Sequence, residues 1–152
     1  MLIETLVRFA SLINIITFCL AIKYTTIVKT ANRRGAGSDD TVTMEYFGNF
    51  TGKHIYYELE TSRNDFERGH TDYFVYHGPA IGPIFEAMLC KRSNWQNWFV
   101  EYVKLVVVKN GNGETITDII EFKEKWFLMK KFCRRLHFKK YSTELNIVLF
   151  EN

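Results

Sequence analysis

Phe66-Glu67-Arg68-Gly69-His70-Thr71-Asp72-Tyr73-Phe74 decides how the chain is read. A charged segment turns at Gly69 and runs into Thr71–Tyr76, which apart from Asp72 is wholly aromatic or β-branched. Such side chains fit a pleated, half-buried surface, so a strand leaving a tight turn is expected. Upstream, Asn32–Asp40 (NRRGAGSDD) is a second glycine turn, followed by the strand-like Thr41–Phe47. Downstream, Trp98-Phe99-Val100-Glu101-Tyr102-Val103 opens a third run of this kind. Glycine-punctuated turns that each feed a short alternating strand predict an all-β sandwich.

The remaining elements follow the same logic. Ile22–Thr30 alternates and is rich in β-branched residues, so it is the expected first strand. His54–Leu59, Ile84–Cys90, Phe99–Lys109 and Glu114–Phe122 are further strands. Gly78–Pro83 is a breaker cluster holding both prolines, and Asn110-Gly111-Asn112-Gly113 is a hairpin signal. Leu145–Phe150 reads either as a terminal strand or as part of an added tail.

These motifs also carry a family resemblance. Tyr24-Thr25-x-x-Val28-Lys29-Thr30, Gly35-Ala36-Gly37-Ser38-Asp39, the Phe66–Phe74 stretch, Gly82-Pro83-Ile84 and Trp98-Phe99-x-x-Tyr102-Val103 occur in that order. Together they resemble the PLAT (LH2, lipoxygenase-homology) domain from about Tyr24 to Trp126. The resemblance implies a sandwich of two four-stranded antiparallel sheets. It also implies contact with membrane lipid or docking of a protein partner.

At 152 residues the chain has one domain's worth of core, and its 47% hydrophobic and 16% aromatic content exclude a mainly disordered polymer. The formal charge of +3 is unevenly spread. Lys123–Lys140 holds eight Lys/Arg and one acid, which leaves the rest of the chain net acidic. Phe9–Ala21 is an apolar run shorter than the roughly 20 residues of a membrane span, and Cys19-Leu20-Ala21 places small residues at a cleavage site. Residues 1–21 therefore read as a secretory signal, 22–126 as the PLAT-like domain and 127–152 as a basic C-terminal extension, with the mature protein extracellular. In an oxidising compartment Cys90 and Cys133 read as one disulfide or as two buried thiols. Asn49-Phe50-Thr51 is a sequon, so Asn49 is a candidate glycan site.

Catalytic patterns are missing from the sequence. There is no G-x-S-x-G elbow, no paired-histidine metal motif and no phosphate loop, so the expected protein is a non-enzyme. Three constellations could bind. Asp39 and Asp40, on a glycine-rich loop, are a candidate calcium pair, since a hard cation takes oxygen ligands. The resemblance puts an acid in a later loop where this chain has Cys90-Lys91-Arg92-Ser93, which argues against a complete cage. Trp95, beside Lys91 and Arg92, has the amphipathic character of an anchor for a membrane interface or a partner pocket. Finally, Leu128, Phe132 and Leu136 recur at helical spacing among Lys130, Lys131, Arg134 and Arg135, a basic amphipathic segment suited to anionic lipid. The expected partner is a membrane lipid surface or, alternatively, an extracellular protein; nucleic acid is not indicated.

Overall fold

The computed structural model describes residues 22–92, 97–111, 114–122, 132–136 and 140–147. These form nine strands: β1 (Ile22–Thr30), β2 (Val42–Gly48), β3 (His54–Glu58), β4 (Thr71–Gly78), β5 (Ile84–Lys91), β6 (Val100–Gly111), β7 (Glu114–Phe122), β8 (Phe132–Leu136) and β9 (Lys140–Ile147). They make two antiparallel sheets, one in the order β4-β1-β6-β7-β9 and the other in the order β3-β2-β5-β8. The all-β two-sheet sandwich is thus the observed architecture, with β9 as a fifth strand on one sheet.

Strands β8 and β9, both beyond residue 126, extend the two sheets, β8 beside β5 and β9 beside β7. The helical reading of the basic segment fails where it can be checked: Phe132–Leu136 is a strand, because Cys90↔Cys133 and Ala87↔Leu136 pair across an antiparallel ladder. A disulfide joins Cys90 to Cys133 and so ties β8 to β5.

Alternation builds the core. Tyr24, Thr26, Val28 and Thr30 of β1 face inward, as do Val42, Met44 and Tyr46 of β2, Ala87 and Leu89 of β5, and Val103, Leu105 and Val107 of β6. The hydroxyl of Thr26 meets those of Tyr46 (2.7 Å) and Tyr57, so a buried polar knot joins β1 of one sheet to β2 and β3 of the other. Burial pushes the Tyr57 phenol up to about 12 and the Tyr46 phenol well above its ordinary value. Tyr57 also stacks on Tyr76 of β4, with ring centroids 4.9 Å apart. Trp98 is core, as its place in the strand motif implies: fully buried, it donates from Nε1 to Thr30 Oγ1 at 3.1 Å.

Candidate functional site

Antiparallel connection brings loops 31–41 and 59–70, with Arg92 and residues 97–99, to one end of the sandwich. Backbone hydrogen bonds stitch them together. Ala31 N donates to Phe99 O (2.8 Å), Phe99 N to Ala36 O (3.1 Å), Ser38 N to Phe66 O (3.2 Å) and Gly69 N to Ala31 O (3.3 Å). Gly69 makes the turn at φ 74°, and Lys29 Nζ donates to its carbonyl at 2.6 Å. Gly37 lies so close that a Cβ there would stand 3.3 Å from Arg68 N.

Phe66 is the hub of this end. It adopts φ 62°, a left-handed conformation uncommon for a bulky residue. Its ring is buried against Phe74 and, edge-on, against Trp98, with centroids 5.4 and 4.8 Å away. The Asp72 carboxylate accepts from Phe66 N at 2.9 Å. Burial raises the Asp72 pKa, and that hydrogen bond opposes the shift.

The two aspartates expected to share a cation line one polar pocket with Thr41, Glu58 and Asp65, yet their surroundings differ. Asp40 turns inward, accepts from Ser38 Oγ at 2.9 Å and pairs with Lys91 Nζ, which has no side-chain exposure. Lys91 therefore cannot be the exposed contact its place beside Arg92 suggested. It ends β5 on the inward parity of Ala87 and Leu89, and Asp40 is its counter-charge. Asp39, but not Asp40, also lines a polar cleft of about 380 Å³ with Gly35, Gly37, Ser38, Glu67 and Asn97. Asn97 Oδ1 is buried there and has no hydrogen-bond partner among the described residues. A buried polar atom without a partner is costly, which makes this oxygen the cleft's unmet acceptor.

No cluster of three His, Cys, Asp or Glu side chains occurs among the described residues. Besides Ser38 Oγ, which donates to Asp40, the side-chain oxygens of the residues lining the cleft are those of Asp39, Glu67 and the Asn97 amide. Those groups, beside glycine carbonyls, suit a hard cation such as calcium, and Asp40 does not belong to the set. Asn97 escaped the sequence reading because an amide oxygen has no spacing signature of its own.

The other expected contacts are dispersed. Arg92 is exposed at the same end and donates to Tyr56 OH at 3.0 Å. Arg33 lies 4.2 Å from the Phe99 ring centroid, and Arg68 donates to Asn32 Oδ1 at 3.1 Å. Arg34 is exposed on the same loop as Arg33, and neither residue was singled out from sequence. Arg134 and Arg135 are consecutive on a strand and point to opposite faces; Arg135 meets Glu86 at 3.5 Å. Trp95, Lys130 and Lys131 lie outside the described residues. Asn49 is exposed on the β2–β3 turn, at the opposite end from the cleft.

Comparison with known proteins bears on this geometry. The PLAT/LH2 domain family model matches residues 24–128, and the chain belongs to that family. Among solved structures, a lipoxygenase in complex with arachidonate aligns with TM-score 0.62 and 21% identity, over 78% of this chain and 17% of that one. Coral 8R-lipoxygenase, described as calcium-activated via a C2-like domain, aligns with TM-score 0.61 and 23% identity, over 76% of this chain and 17% of that one. Clostridium perfringens alpha-toxin aligns with TM-score 0.62 and 12% identity, over 77% of this chain and 31% of that one. These likenesses are of fold, and the chain spans only about a sixth of each lipoxygenase, the sandwich without the catalytic part. No curated protein sequence matches it.

Proposed function

We propose that this PLAT domain contacts an anionic membrane surface through the loop end of the sandwich, with a calcium ion completing the cleft of Asp39, Glu67 and Asn97. The observation that carries the reading is a cleft lined by two carboxylates and by Asn97, whose buried Oδ1 has no hydrogen-bond partner among the described residues. A bound divalent ion would offset those charges and offer open coordination positions to lipid phosphate or carboxylate oxygens. Exposed Arg33, Arg34, Arg68 and Arg92 surround this end and would add attraction that salt screens. Trp95, which lies between Arg92 and Asn97 in the sequence, is the proposed interfacial anchor. The protein is proposed to act outside the cell and without catalysis, and a glycan on Asn49 would sit clear of the membrane.

A second reading has its own support. On the outer face of the five-stranded sheet, Tyr73 and Val75 of edge strand β4 are 60% and 54% exposed. The ladders align Val75 with Thr25, Val106 and Ile119 in one row across four strands. Such a strip suits a protein partner.

Binding to phosphatidylserine vesicles separates the two readings. The lipid reading expects Asp39→Asn to lose calcium-dependent binding while Tyr73→Ser/Val75→Ser keeps it. Unchanged vesicle binding in Asp39→Asn would remove the cleft from the account.

A further inference from the structure

At the end opposite the cleft, the sandwich opens into a cavity of about 230 Å³ with mainly apolar walls. Ile22, Tyr24, Phe50, Ile81, Ile84 and Val107 supply half of its lining residues. The Tyr24 hydroxyl donates to Pro79 O at 2.8 Å, so its polar atom is satisfied and its ring is left to the cavity. Phe50 forms one wall from an exposed turn. It lies close to the β4–β5 connection because Gly82, at φ 80°, has no Cβ; one there would meet the Phe50 ring at 2.8 Å.

Among the residues that line the cavity, charge is confined to one pair. Lys109 and Asp118 both line the cavity and pair with each other, Asp118 nearly buried and Lys109 with 38% of its side chain exposed. An ammonium has three donors, and Asp118 satisfies one. A second cation, exposed Lys53, holds its Nζ 5.8 Å from the Phe50 ring. The lining itself is neutral in sum, and Lys53 adds one positive charge beside the Phe50 wall.

We propose that this cavity binds a single hydrocarbon chain with a carboxylate head, the chain between the sheets and the head at Lys109. Apolar cavities of about 150 Å³ accept a benzene ring, so this one has room for one short chain segment and none for a two-chain lipid. Apolar walls supply the attraction, and Lys109, with Lys53 beside the Phe50 wall, selects the head. The site lies at the other end of the fold from the proposed membrane contact and is independent of it.

The probes are decanoate, decanol and decyltrimethylammonium, each below its micellar concentration, with thermal unfolding as the readout. Decanoate is expected to raise the midpoint saturably, decanol less, and the cation not at all. Lys109→Met is expected to weaken decanoate about tenfold, the loss of one charge-assisted contact. Ala80→Trp is expected to fill the cavity and abolish the shift. If that variant fails to fold, wild type and Lys109→Met still decide. No shift with decanoate would overturn the proposal, and so would equal shifts with all three probes.

Discussion

Phe66 concentrates the cost and the purpose of the loop end in one side chain. Its left-handed backbone is unfavourable for a bulky residue, and it persists because the Asp72 carboxylate takes its N–H and Phe74 and Trp98 hold its ring. Phe66→Ala removes the packing without relieving the backbone, so it should cost about 3–5 kcal/mol by chemical denaturation. Asp72 makes a separate prediction. Burial raises its folded pKa above the ordinary value of 3.8, so the native state holds this proton more tightly than the unfolded chain does. Stability from this group is then full at low pH and declines as pH rises through the window just above that ordinary value. Asp72→Asn keeps an oxygen for Phe66 N and cannot titrate. The stability of wild type relative to Asp72→Asn should therefore fall as pH rises through the region just above the ordinary value and level off once the folded carboxyl has ionised, as measured by unfolding midpoints.

At the scale of elements, two clasps close the sandwich. The Thr26–Tyr46–Tyr57 hydroxyl knot joins the sheets through the core. Thr26→Val keeps the shape and removes the shared hydroxyl, so it should cost about 1–3 kcal/mol through the phenols it leaves short of a partner. The disulfide spans 43 residues and holds β8 on β5. Replacing both Cys90 and Cys133 by Ala should cost about 2–4 kcal/mol in denaturant unfolding. The strands themselves were largely legible, since alternation names an inward face: Ile22–Thr30 and Glu114–Phe122 have the bounds read from sequence. β8 was not legible. Phe132–Leu136 is short, and its Leu128, Phe132 and Leu136 spacing satisfies a helical period as well; only pairing with β5 decides the issue.

Across the whole molecule, the two ends of the sandwich have different chemistry. One carries the polar cleft and arginine-bearing loops, the other an apolar cavity with a lysine rim. The sequence pointed to the first end through Gly35–Asp40 but could not divide its charges. Adjacent Asp39 and Asp40 look alike in a string, yet Asp40 is spent on Lys91 while Asp39 lines the cleft. That division depends on Lys91 arriving from β5 with inward parity, and the same parity removes Lys91 from the surface. The Asn97 oxygen was invisible for a related reason, because what marks it is the lack of a partner among the described residues and not its residue type.

Vesicle flotation tests the central claim most directly. The chain Ile22–Asn152 would be mixed with phosphatidylserine-containing or pure phosphatidylcholine vesicles, each in calcium and in chelator. The account predicts that the protein floats with the anionic vesicles in calcium and stays behind in chelator or with neutral lipid. Equal recovery in all four conditions, or none in any, would contradict membrane contact through the Asp39–Glu67–Asn97 cleft.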